Sequence, residues 1–279
     1  MGNNKSLMKK IKTALISVNN KKNLNLLLKS LSKHKIQIIS SGGTFKEIKK
    51  LGYKCLEVSK YTGSKEILDG RVKTLHPKIH AGILSIRKNK SHNRDLKKNN
   101  FSEIDLVVVN FYPFEKTLEN TNNHKNIIEN IDIGGPAIVR AAAKNYNDVT
   151  VITSPNDYVY LIDQLNSNKS KTTLKFRQQM SEIAFTETAY YDGLISNYFN
   201  SKSKKLFPKK KIFFSNLVEN LRYGENPHQE AAIYSLGSKL NIKQISGKKL
   251  SYNNYNDIFS ALLISKSLPK NIGTAIIKH

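Results

Sequence analysis

Short runs of β-branched residues alternate with apolar residues at helical spacing along the first half of the chain. The β-branched runs predict buried strands at 13–18, 36–40, 105–110 and 149–153. Leu24, Leu27, Leu28 and Leu31 share one face of a predicted helix, and a second helix is predicted from 45 to 51, ending at Gly52. This alternation is typical of an α/β fold, in which crossover helices flank a parallel sheet.

The pattern changes in the second half of the chain. Apolar positions between Thr172 and Tyr198 predict one long helix or two in tandem. Between 64 and 86 neither period is clear, which predicts a long ordered loop. A stretch rich in Lys and Ser at 201–211 is typical of a linker. The expected domains are therefore residues 1–203 and 204–279.

Composition narrows the class of protein. The 279 residues include 46 Lys+Arg and 21 Asp+Glu, a net charge of +25. The basic residues are almost all Lys and are spread through every segment, whereas base recognition favours Arg, so the charge is interpreted as coding bias on exposed positions and no nucleic-acid partner is expected. Cys55 is the single cysteine and no apolar run reaches membrane length, so we expect a cytoplasmic protein without disulfide, membrane contact or metal site.

One targeting pattern stays open. The first six residues fit the permissive form for N-myristoylation at Gly2, with Lys9 and Lys10 close behind. So short a pattern also recurs by chance.

Two clusters of small polar residues follow predicted strands. Ser41-Gly42-Gly43-Thr44 lies where a strand ends and a helix begins, so free N–H groups and hydroxyls could converge on a phosphate. A Gly-Gly turn can also be only a turn. Ser17 and Lys21 follow the preceding strand, and the carboxyl ends of parallel strands face one crevice.

Further candidate residues carry charge or hydrogen-bonding groups. Arg71 and Lys73 alternate in what reads as extended chain, although a solvated basic loop is the simpler interpretation. Asn110 and Tyr112 directly follow a predicted strand. Asp132 precedes Gly134-Gly135-Pro136, which reads as a helix start, and is either an N-cap or a functional acid.

Lys144 stands four residues after Arg140 on the same predicted helix face. Like charges at this spacing repel, which would be explained by an anion bound between them. His76 and His80 have no acidic or thiolate neighbours in sequence that would complete a metal site.

Six motifs in this order and spacing resemble the bifunctional purine biosynthesis family, AICAR transformylase/IMP cyclohydrolase. They are SGGT at 41–44, YTG at 61–63, DGRVKTLHP at 69–77, NFYPF at 110–114, IDIGGP at 131–136 and AAAKN at 141–145. The resemblance implies that the N-terminal domain has the methylglyoxal-synthase-like fold and closes the ring of formyl-AICAR to give IMP and water, without a cofactor. It also implies a homodimer.

The resemblance implies two sets of site residues. Those expected to bind the nucleotide are Ser17, Lys21, Ser41, Gly42, Gly43, Thr44, Arg71, Thr74 and Asn110. Those expected to act in ring closure are Lys73, Tyr112, Asp132 and Lys144. In this interpretation Lys73 protonates the formyl oxygen and Asp132 orients the carboxamide and accepts its proton.

Later motifs resemble the opening of the family's second domain, a cytidine-deaminase-like α/β domain that transfers the formyl group of 10-formyltetrahydrofolate to AICAR. They are RYGENPHQ at 222–229, LSYNN at 250–254 and the final KH, so Arg222, Tyr223, Lys278 and His279 are candidate residues of that site. Because the family continues beyond this pair, we expect no formyl transfer by these 279 residues and low stability of the segment after about 205 on its own.

Two other functions share the predicted fold. Methylglyoxal synthase is one, but the motifs at 71–77 and 110–114 argue against it. The other is a nucleotide-binding regulatory module, which would bind IMP or another nucleotide without turnover.

Overall fold

A computed structural model describes residues 7–68, 70–203, 207–235, 240, 242–269 and 272–278. The chain divides into two compact units, Met1–Leu206 and Phe207–His279. The motif residue Asp69, the lipidation candidate Gly2 and the candidate His279 lie outside the described residues.

The first unit is built on a parallel sheet of five strands. The strands of this unit are β1 (Lys9–Lys10), β2 (Thr13–Val18), β3 (Gln37–Ser40), β4 (Leu56–Glu57), β5 (Leu106–Asn110), β6 (Thr150–Ile152) and β7 (Lys171–Thr172). The parallel sheet has the order β4-β3-β2-β5-β6, and β1 pairs with β7 in a separate, short antiparallel sheet.

Helices connect and cover these strands. They are α1 (Leu24–Lys33), α2 (Gly42–Lys50), α3 (Val58–Thr62), α4 (Pro77–Leu84), α5 (Lys90–Lys98), α6 (Phe114–Asn120), α7 (His124–Glu129), α8 (Gly134–Lys144), α9 (Tyr158–Ser167) and α10 (Leu174–Lys202), with a 3-10 turn at Pro155–Asp157. The α/β fold class predicted from the alternating pattern is confirmed.

The main core lies on both faces of the sheet. In β2, Leu15 pairs with Ile39 of β3 and Val107 of β5, and all three are fully buried. Central strands of a parallel sheet are covered on both sides, which explains their continuous apolar runs. Leu27 and Leu31 of α1 pack into the same core.

A second, smaller group of buried side chains joins α6 and α7 to α10. It consists of Phe114, Ile127, Tyr191 and Tyr198, and is called the satellite cluster below. The segment from Phe111 to Ile131, which connects β5 to α8, therefore rests on α10 through its own aromatic contacts.

The prediction of a loop from 64 to 86 is wrong in part, because α4 occupies the second half of this segment. Pro77 is the first residue of this helix, where its missing N–H costs nothing. The His76 ring caps the helix by accepting the Lys78 N–H at 3.1 Å. The helix has only eight residues, too few for its period to stand out in the sequence.

The described residues of the second unit form an antiparallel pair, β8 (Asn216–Asn220) and β9 (Ala232–Ser235), and a helix, α11 (Tyr252–Ser267). Ser251 and Asn254 form a capping box at the start of α11.

Candidate active site

A cleft of about 570 Å³ opens at the carboxyl edge of the parallel sheet. The chain leaves β2, β3 and β5 at this edge, and α2 and α8 begin there. Eleven of the predicted site residues line the cleft: Ser17, Lys21, Ser41, Gly43, Thr44, Arg71, Lys73, Thr74, Asn110, Tyr112 and Asp132. The topology thus brings together residues that are more than 100 positions apart in sequence.

The start of α2 has the properties of an anion site. The first-turn N–H groups of a helix have no partner within the helix and carry partial positive charge. Ser41, the N-cap residue, makes no side-chain cap, and its buried hydroxyl has no hydrogen-bond partner among the described residues. A phosphate oxygen at this point would accept from the hydroxyl and from the first N–H groups of α2.

Lys73 lies against the same helix start. A Cβ atom added to Gly42 would be 3.3 Å from the Lys73 Nζ, and Gly42 has φ of 54°, a conformation that favours glycine. Gly42 is therefore the residue that lets the ammonium approach the backbone, although it does not itself line the cleft.

Thr44 and Asn110 shape the cleft through bonds to the backbone. The Thr44 hydroxyl accepts the Val18 N–H at 3.0 Å and donates to the Val18 carbonyl at 2.9 Å, which ties α2 to the end of β2. The Asn110 side-chain oxygen accepts the N–H groups of Asn19 and Asn20 at 2.7 and 2.9 Å. These bonds hold the loop that leads to Lys21.

Asp132 stands just before α8 and lines the cleft. Its carboxylate accepts the Gly135 N–H at 2.8 Å, so the N-cap interpretation and the functional one apply to the same side chain. Burial raises the pKa of the Asp132 carboxyl, while the Gly135 N–H, the Lys73 charge and the Tyr112 N–H act in the opposite direction. A carboxyl with a raised pKa beside a lysine is suited to moving a proton.

Glu129 is a cleft residue that the sequence did not reveal. It forms an ion pair with Arg71 through the Arg71 Nε, 3.0 Å from Oε1, and through a second contact between NH2 and Oε2. Hydrogen bonding to Arg71 lowers the pKa of the Glu129 carboxyl. Both side chains are more than half exposed, and nothing in the local sequence signals a pairing across 58 positions.

Lys144 is not brought to this cleft. It is the exposed last residue of α8, ten residues after Gly134 and thus about 15 Å along the helix. Its proposed catalytic role stays a prediction. In the second unit, the Arg222 guanidinium stacks 4.7 Å from the centre of the Tyr223 ring, and Lys278 is exposed.

Comparisons with known proteins agree with the motifs. A family model described as AICARFT/IMPCHase bienzyme matches residues 142–279, and a model described as MGS-like domain matches residues 23–137. The chain therefore carries an MGS-like domain followed by a segment of the AICARFT/IMPCHase bienzyme family.

Curated relatives named bifunctional purine biosynthesis protein PurH cover most of the chain. The protein of Bradyrhizobium diazoefficiens is 46% identical over 91% of this chain and 48% of its own length. That of Rhodospirillum rubrum is 44% identical over 96% of this chain and 52% of its own length. The chain spans about half the length of these relatives.

A crystal structure of ForH shares the architecture. It matches with a TM-score of 0.62 and 28% identity, over 68% of this chain and 99% of ForH.

The described residues hold neither a helix that could span a membrane nor a cluster of metal-binding side chains. None of their helices is long and apolar enough to cross a membrane. Nor do these residues contain three or more His, Cys, Asp or Glu side chains grouped so that they could hold a metal ion.

Proposed function

We propose that the cleft at the carboxyl edge of the sheet binds formyl-AICAR and closes its ring to IMP, so that the protein acts as an IMP cyclohydrolase. The observation that carries the proposal is the position of Lys73 and Asp132 in one cleft, with the Lys73 ammonium beside the start of α2. The nucleotide phosphate would lie at Ser41–Thr44 and the base between Lys73 and Asp132.

The reaction forms one bond and releases one water molecule. The carboxamide nitrogen attacks the formyl carbon, and the formyl oxygen leaves as water with two protons given up by the two nitrogens. Lys73 donates a proton to the developing oxyanion, and Asp132 accepts a proton from the carboxamide nitrogen. Tyr112, which also lines the cleft, would donate a hydrogen bond to the oxygen.

Because the attack is intramolecular, placement of the reacting groups supplies much of the rate. The Asn110 bonds to the 19–20 loop and the Thr44 bonds to Val18 serve this placement. The cyclisation itself needs no cofactor in this scheme.

The test is turnover of formyl-AICAR, followed by the absorbance change on ring closure. Lys73→Met should lower kcat by about 100-fold or more, since loss of one donor to an oxyanion costs this much. Asp132→Asn should lower kcat by a similar factor through loss of the base. Lys97→Met, at an exposed position of α5, removes the same charge and side chain away from the cleft and should retain wild-type rates.

The same experiment decides between the enzyme and the regulatory module. If the wild-type protein binds IMP in a calorimetric titration but shows no turnover, the module is favoured. Equal activity of the Lys73→Met and wild-type proteins would remove the proposed mechanism.

For the longer relatives, we propose that the second domain transfers the formyl group of 10-formyltetrahydrofolate. In this chain the opening of that domain contains Arg222, Tyr223, Lys278 and His279. These residues and the homodimer stay predictions.

A further inference from the structure

The backbone of Asp132 is tied to a helix that does not reach the cleft. Asp132 lies between α7 and α8, outside regular structure, and its N–H donates to the Tyr191 hydroxyl at 2.8 Å. Tyr191 belongs to α10, 59 positions later, and is 5% exposed. A helix that has no residue in the cleft wall therefore fixes the position of the Asp132 backbone.

The Tyr191 ring also contacts the neighbouring segment of the cleft wall. Its centroid is 5.0 Å from that of Phe111 and 6.1 Å from that of Phe114, and its hydroxyl lies 3.5 Å from the Asn130 carbonyl. Phe111 directly precedes Tyr112. One buried side chain thus lies between the two segments that carry Tyr112 and Asp132.

We propose that Tyr191 is a positioning residue for ring closure, which holds the Asp132 backbone so that its carboxylate faces Lys73. The inference rests on the proposed function of the cleft. It assigns to α10 a part in the reaction that none of the cleft-lining residues reveals.

Two further observations, one on the Tyr191 hydroxyl and one on the Asp132 carboxylate, support this role. Burial raises the pKa of Tyr191 to about 12, so the hydroxyl keeps its proton at physiological pH and can donate it to the Asn130 carbonyl while accepting the Asp132 N–H. The Asp132 carboxylate also packs closely against the start of α8, since a Cβ on Gly135 would be 2.5 Å from its Oδ2. A misplacement of about 1 Å can lower the rate by about 100-fold.

Tyr198 offers a matched control on the same helix. It belongs to the same satellite cluster, is 8% exposed, and its ring centroid is 6.1 Å from that of Phe114. Its hydroxyl is hydrogen bonded to the His124 Nδ1 at 2.7 Å and not to a residue of the cleft. Tyr191→Phe and Tyr198→Phe therefore remove the same group from similar surroundings, but only the first releases Asp132.

The experiment compares these two variants of the full 279-residue protein. We expect Tyr191→Phe to lower kcat by about tenfold, the equivalent of one lost hydrogen bond, with KM for formyl-AICAR changed less than about twofold. Tyr198→Phe should leave both kcat and KM unchanged. The two variants should lower the thermal midpoint by similar amounts. Equal kcat in both variants would reduce Tyr191 to a structural residue and overturn the inference.

Amide hydrogen exchange separates this inference from the proposed function. The Asp132 N–H should exchange about tenfold faster in Tyr191→Phe than in the wild type or in Tyr198→Phe. If the wild type shows no turnover, the cyclohydrolase proposal fails, yet the exchange rates still report whether Tyr191 holds Asp132. Unchanged exchange in Tyr191→Phe would overturn the positioning role even in an active enzyme.

Discussion

At the scale of single residues, the proposed phosphate site depends on two glycines, Gly42 and Gly43. A Cβ on Gly43 would meet no atom within 4 Å, which means that this position opens directly onto the cleft. Gly42 differs, because its positive φ favours glycine and a Cβ there would lie 3.3 Å from the Lys73 ammonium. The sequence predicted a phosphate-binding role for Gly42 and Gly43 together. The structure shows a different reason for glycine at each position.

Gly43→Ala tests whether the open space beside α2 is where the phosphate binds. The added methyl group clashes with nothing in the protein, and alanine favours helix over glycine, so the thermal midpoint should stay the same or rise slightly. The methyl group would occupy space next to the first N–H groups of α2. We expect IMP to bind about tenfold more weakly in calorimetric titration.

Inosine, which has no phosphate, is the control ligand for this variant. Its affinity should change by less than about twofold if the phosphate lies at Gly43. Equal weakening of IMP and inosine would place the methyl group against the nucleoside instead.

At the scale of elements, the sequence predicted strands and helices with a clear hydrophobic period and missed short helices. The strand predicted at 13–18 is observed at the same bounds, because its β-branched and apolar residues are buried on both faces. The long helix predicted near 172–198 is observed as the single helix α10. By contrast, α6 and α7 have seven and six residues and pack through the satellite cluster, so no period marks them.

Arg177 shows how α10 also stabilises the first unit. The residue is 1% exposed, and its guanidinium donates to the carbonyls of Leu7, Tyr146, Asn147 and Thr172 at 2.6 to 3.0 Å. Burial lowers the pKa of Arg177 to about 10, which still leaves it charged at neutral pH. One side chain therefore joins the start of the chain, the loop before β6 and strand β7.

Arg177→Met should destabilise the protein by about 3 kcal/mol or more, because four carbonyls lose the buried guanidinium that donates to them. The measurement is the free energy of unfolding of the first unit in urea. Lys175→Met, at an exposed position two residues earlier, is the control and should change this free energy by less than about 0.5 kcal/mol. A small effect of Arg177→Met would mean that water replaces the lost donors.

At the scale of the whole molecule, the shared edge of a parallel sheet predicted that Ser17, Ser41 and Asn110 would meet. Arg71, Lys73 and Asp132 were expected in the same cleft only because their motifs resemble those of the family. It could not predict contacts set by packing between distant elements. The Arg71 pair with Glu129 spans 58 positions and the Tyr191 bond to Asp132 spans 59. The position of Lys144, at the far end of α8, likewise follows from helix length and orientation and not from its motif.

The net charge of +25 is also a property of the whole chain, and it should act on stability and binding in opposite directions. Folding brings like charges closer, and salt weakens their repulsion by shortening the screening length from about 10 Å at 0.1 M to about 3 Å at 1 M. Sodium chloride over this range should therefore raise the thermal midpoint by several degrees.

The same screening should weaken IMP binding, since the attraction between the phosphate and the cleft cations Lys21, Arg71 and Lys73 is reduced. We expect a loss of about tenfold in IMP affinity over the range and a much smaller change for uncharged inosine. A midpoint that falls with salt would show that local ion pairs such as Arg71 with Glu129 outweigh the general repulsion. An IMP affinity independent of salt would instead place the phosphate where the protein shields it from solvent ions, held mainly by the N–H groups of α2 and the Ser41 hydroxyl.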